Sequence, residues 1–159
     1  ALLLYGSPQE KESSINAPNV LVSDNAPLAD FLKNNFIAKL AAFRQAPAFE
    51  NLKSVMANSF RSEGDPMGPR YSESVHADGL NIELVWEDLE EPRCLELTPD
   101  QVGTGEHTMF TLLVPAGKAQ IMVNGRSLPG VVGTRVQAGF DTTTAFLYFS
   151  ETWVIPPNG

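Results

Sequence analysis

Arg70-Tyr71-Ser72-Glu73-Ser74-Val75-His76-Ala77, then Asp78-Gly79, then Leu80-Asn81-Ile82-Glu83-Leu84-Val85-Trp86-Glu87-Asp88, is the stretch that decides the fold. Before the Asp-Gly pair, Tyr71, Glu73, Val75 and Ala77 alternate with polar neighbours. After it, Ile82, Leu84 and Trp86 fall on one side, and Glu83, Val85 and Glu87 on the other. A period of two is that of a strand, whose successive side chains point to opposite faces. Asp-Gly between two such runs is a hairpin signal, because tight hairpin turns need residues that tolerate positive φ.

The same grammar continues downstream. Leu95 and Leu97 make a short strand ended by Pro99, and Met109 to Val114 is the nearly continuous apolar run of a central strand. Ala119 to Val123 followed by Asn124-Gly125 is the strongest hairpin signature in the chain. Thr142 to Ile155 is rich in Thr, Phe, Tyr, Trp and Val, the best sheet formers, and Pro156-Pro157 ends it. Its two faces are both largely apolar, so this strand is expected to be central or covered on both sides. Residues 70–157 are therefore expected to form the sheet.

Upstream of Arg70 the rhythm differs. Ser23, Asp24 and Asn25 can all cap a helix, Pro27 is tolerated in a first turn, and Leu28, Phe31, Leu32, Phe36, Leu40 and Phe43 recur at spacings of three and four. Pro47 stops that run. A second begins at Ala48 and carries Phe49, Leu52, Val55, Met56 and Phe60. Residues 23–60 are thus predicted to be two helices joined by a tight corner. Residues 1–22 are an arm or short strand, with Val20-Leu21-Val22 its most apolar part. Glu63 to Pro69 is turn chemistry, too short for an interdomain linker, and the 159 residues are expected to fold as one domain. Helices first and strands after predicts an α+β fold: an N-terminal helix pair packed on a mainly antiparallel sheet of five to seven strands, or on a partly closed barrel.

The net charge is −8, from 19 acidic and 11 basic residues, and no two basic residues are adjacent. A protein that grips nucleic acid or anionic lipid neutralises phosphates with clustered Lys and Arg, so neither partner is expected. The acidity favours solubility and a basic protein partner. No run approaches the roughly 20 apolar residues of a membrane-spanning helix. Ala1-Leu2-Leu3-Leu4-Tyr5 reads as an ordinary first strand or as the end left by leader removal, which fits a cytoplasmic or an exported protein. The lone Cys94 reads as a buried small hydrophobe, with a nucleophilic or cross-linking thiol as the alternative.

Candidate chemistry centres on the two histidines. His76 has Glu73 and Asp78 nearby, with Ser74 and Asp78 at strand spacing to share its face; His107 follows Glu106 in a Gly-containing turn before a central strand. Neither shows the spacing of a zinc site, and no metal or cofactor is expected. The Gly103-Thr104-Gly105 turn lacks the dinucleotide fingerprint. Glu83, Glu87, Asp88, Glu90 and Glu91 around Trp86 read as a solvated face, a basic-partner surface or a source of a catalytic carboxylate. Arg126 and Arg135, on a glycine-rich connection, have the chemistry to clamp an anion, and Trp86 and Tyr148 are candidate ligand-lining aromatics.

Two functional readings follow. The first is a non-catalytic binding or assembly module for a partner protein or a small ligand, including a second copy of the chain. The alternative is a small acid–base or metal-assisted enzyme acting on a small anionic substrate through His107 with Glu106, or through His76 with a carboxylate such as Glu83, the substrate held by arginine.

Overall fold

The computed structural model describes residues 1–4, 19–37, 52–102, 105–137 and 139–154. Their strands are β1 (Leu2–Leu4), β2 (Val20–Ser23), β3 (Lys53–Gly64), β4 (Arg70–Ala77), β5 (Leu80–Leu89), β6 (Arg93–Leu97), β7 (His107–Val123), β8 (Arg126–Ser127), β9 (Thr134–Gln137), β10 (Phe140–Thr143) and β11 (Phe146–Val154). Two short helices, α1 (Ala26–Phe31) and α2 (Pro99–Val102), interrupt them. Nine strands share one sheet in the hydrogen-bonded order β1-β2-β3-β4-β5-β7-β11, with β6 and β8 also pairing β7, while β9 and β10 form a separate ribbon. The registered pairs are antiparallel except β2 with β3, which run parallel.

This overturns the expected helix pair on a sheet: the described chain is predominantly strand. Of the predicted helical span, only its start is helical. Asn25 caps α1 by accepting the Leu28 N–H at 3.0 Å. The helix runs on as a single π-helical turn over Leu32–Phe36. Residues 38–51 of the predicted pair lie outside the described residues. From Lys53 the chain is extended, and the second predicted helix is refuted over 53–60. The cause is a spacing that serves two geometries. Leu52, Met56 and Phe60 are four apart, which stacks them on one face of a helix and equally on one face of a strand. The strand buries the other parity: Val55 and Ala57 pack into the core, while Met56 and Phe60 are exposed.

The chain divides into two compact units. The first comprises Ala1–Glu63, Ser72–Val85 and Gln120–Gly130. Its core is Leu4, Val20, Val22, Val75, Ala77 and Ile82, with Val55, Ile121 and Val123 packed against them. A smaller cluster of Leu21, Ala29, Ile37 and Leu52 holds α1 down. Gly79 at φ 73°, and Asn124 and Gly125 at φ 50° and 75°, supply the left-handed backbone that the two hairpin turns require. Asn124 then ties the turns together: its Oδ1 accepts the Asn81 N–H at 2.7 Å and its Nδ2 donates to the Gly79 carbonyl at 3.1 Å.

The second unit comprises Gly64–Tyr71, Trp86–Ala119 and Val131–Gly159. Tyr71, Val114 and Leu147 form its core, with Trp86 and Leu89 packed against them. Along Met109–Leu113, β7 is paired on one side with β6 and on the other with β11. The ion pairs Arg70–Glu87 (3.7 Å) and Lys118–Asp88 (2.9 Å) are solvent-exposed, where such pairs contribute little to stability.

Two further expectations fail in this unit. β11 is not covered on both faces: it ends the strand order, and Tyr148, Phe149 and Trp153 are exposed. Its composition is that of a buried strand, but only Leu147 is placed against the core. Cys94 is exposed, because alternation along β6 turns Leu95 inward and its neighbour outward. No helix among the described residues is long and apolar enough to cross a membrane.

Candidate functional site

Alternation along β4 and β5 of the first unit sends apolar side chains to the core and polar ones to the opposite face. On β4 the core side takes Val75 and Ala77, leaving Ser72, Ser74 and His76 together on the other side. β3 contributes Arg61 and Glu63, and β5 contributes Asn81 and Glu83. These residues, with Met122 and Gly125 at one end, line an open pocket of about 330 Å³. The His76 ring is held by its Nδ1, which lies 2.8 Å from Asn81 Oδ1. Because that amide oxygen can only accept, Nδ1 is the donor of this contact.

Of the residues singled out in the sequence, His76, Ser74 and Glu83 are brought together here. Asp78 is instead placed in the hairpin turn, where it accepts from Asn58 Nδ2 at 3.0 Å. Arg126 is exposed on β8 next to Gly125 and is not among the lining residues. The arginine of the pocket is Arg61, which follows directly on the stretch that the sequence pattern assigned to a helix. Ser72 and Arg61 carry no local signal of a site; only the pairing of β3, β4 and β5 juxtaposes them.

The remaining candidates lie in the second unit. His107 opens β7, in register with Val154, and Glu106 sits exposed in the preceding turn. Trp86 is half-buried and packs on Tyr71, with ring centroids 6.1 Å apart. Arg135 and Tyr148 do meet. Arg135 lies 5.0 Å over the Phe146 ring and donates to the Gln137 side-chain oxygen, and the Gln137 amide donates to the Tyr148 hydroxyl. The network uses the guanidinium to fasten the β9–β10 ribbon to β11 rather than to present it to a ligand. Among the described residues, no three His, Cys, Asp or Glu side chains are grouped so as to hold a metal ion.

Partial burial raises the Tyr148 pKa above that of free tyrosine, because it penalises the phenolate; the positive charge of Arg135 opposes this. Folded chains therefore retain a proton that unfolded chains release. The resulting stability is fully present below the unfolded tyrosine pKa and is lost as pH rises through the folded one. Arg135→Ala is expected to move the Tyr148 ionisation still higher, read as a difference absorbance titration against Tyr148→Phe. A downward or absent shift would refute this account of the charge.

Comparison with family models, curated proteins and solved structures finds no match to the chain.

Proposed function

We propose that the chain is a non-catalytic binding module that takes a small polar solute in the pocket of its first unit. The observation that carries this reading is the composition of that pocket: charges of both signs, Arg61 against Glu63 and Glu83, surround the His76 imidazole and the hydroxyls of Ser72 and Ser74. Such a lining suits a compact ligand bearing hydroxyl groups or both an anionic and a cationic group, since each end finds a complementary partner. A volume near 330 Å³ is at the small end for ligand sites, which favours a single metabolite-sized molecule.

The test is a titration with monosaccharides, amino acids and small carboxylates, followed by amide chemical shifts of the isotope-labelled chain. A binder of this class is expected to move the resonances of Ser72, Ser74, His76 and Asn81, and Arg61→Ala with His76→Ala is expected to abolish the response. Binding that survives both substitutions, or that maps elsewhere, rejects the reading.

The acid–base alternative is favoured by one specific observation: the His76 imidazole shares the pocket with Glu63, Glu83 and Arg61. It separates from pure binding by turnover. If a bound solute is consumed by the wild-type chain and not by His76→Gln, the enzyme reading replaces the binding one.

A further inference from the structure

The register of β6, β7 and β11 builds a second surface, in the other unit. Paired residues of neighbouring strands share a face, so Glu96, Phe110 and Glu151 form one row across the three strands. Cys94, Leu112 and Phe149 form the next row, and Thr108 with Trp153 flanks the first. Trp153 is 51% exposed, Phe110 42% and Phe149 40%. Contiguous exposed aromatics of this kind mark an interaction surface more often than a neutral one. The patch also abuts an open strand: among the described residues no strand pairs with the other edge of β11. Nine residues long and free of proline, that edge presents unpaired backbone groups able to receive an extended segment.

Charge decides what the segment must be. This unit carries ten acidic residues against four basic ones, so it holds −6 of the chain's −8. Two of its four cations are already ion-paired, Arg70 with Glu87 and Lys118 with Asp88. The other two, Arg93 over Phe140 and Arg135 over Phe146, stack on aromatic rings. On the aromatic face itself the ionised side chains are Glu96 and Glu151, one on each side of Phe110. A second copy of the chain would bring a like-charged unit against this one. A basic segment would neutralise it while its apolar side chains cover the aromatics.

We propose that the β11 edge and the Phe110–Phe149–Trp153 face dock an extended, basic segment of another protein, added to the sheet as a further strand. Lysine or arginine side chains of that segment lie beside Glu151 and Glu96, and its apolar residues pack on Phe149 and Trp153. This site is separate from the solute pocket, and its test does not touch that pocket.

The full chain is titrated with a synthetic heptapeptide of alternating lysine and valine, and with its glutamate–valine counterpart. The basic peptide is expected to shift the resonances of Phe110, Leu112, Phe149 and Trp153 and to slow hydrogen exchange at β11 amides not bonded to β7. Its affinity should fall as salt is raised. The acidic peptide is expected not to bind. Glu151→Lys should weaken the basic peptide by about tenfold or more and admit the acidic one, and Phe149→Ser or Trp153→Ser should weaken it comparably. Equal binding of both peptides, shifts that map away from β11, or dimerisation through β11 in the absence of peptide would each overturn the proposal. The peptide pair and the salt series need no variant, so they decide the matter even where a substitution folds poorly.

Discussion

Leu113→Ala is expected to destabilise the chain by about 3 kcal/mol, and by up to about 5 if the site cannot collapse around the missing atoms. Leu113 has no exposed surface, and its strand is held on both sides, with Arg93 on β6 and Tyr148 on β11 as its register partners. Backbone pairing on two edges restrains β7 from moving inward to fill the void, which places the substitution toward the costly end. Equilibrium unfolding in urea should show a lowered midpoint with an unchanged slope. A loss below about 1 kcal/mol would mean that the interior around β7 is loosely packed.

Gly64→Ala is the second large effect, for a backbone reason. Gly64 closes β3 at φ 94°, and an added Cβ would stand 2.4 Å from the Arg70 carbonyl oxygen and 3.3 Å from the Tyr71 Cα. Strain at that dihedral and the collision with main chain add, for a cost of about 3 kcal/mol. Gly79→Ala separates the two causes. Gly79 has φ 73° but no atom within 4 Å of an added Cβ, so only the conformational part, about 1 kcal/mol, should remain. Equal losses at the two glycines would show that the Arg70 contact carries no weight.

The sheet was legible wherever a local rule forces the answer. Asn124-Gly125 and Asp78-Gly79 need left-handed backbone, and the flanking alternation tells which side chains turn inward. Lys53–Gly64 was not legible, because a four-residue recurrence of Leu52, Met56 and Phe60 satisfies both periods, and only the pairing with β2 and β4 decides between them. β11 misled in a different way. Its aromatics are what a buried strand requires, yet burial depends on what lies opposite, and composition carries no information about that. The pocket was readable only in part. His76 and Ser74 sit two apart on one strand and could be associated by spacing, whereas Arg61, Ser72 and Glu63 reach them through strand pairing that no local pattern announces.

The parallel pairing of β2 with β3 bears on how the chain acquires its shape. Hairpins such as β7–β8 close through two residues and can form on a timescale of roughly microseconds. β2 reaches β3 only after an excursion through residues 24–52, so its ends must meet across a long loop whose closure entropy is not repaid by neighbouring contacts until Leu21, Ala29, Ile37 and Leu52 assemble. Pairing of β2 with β3 is therefore the kind of non-local contact whose closure cost slows folding, and its capture is expected to come late. Until that capture, Val20 to Ser23 would be an unclaimed template during synthesis, the interval in which such a chain is most open to mispairing with its neighbours.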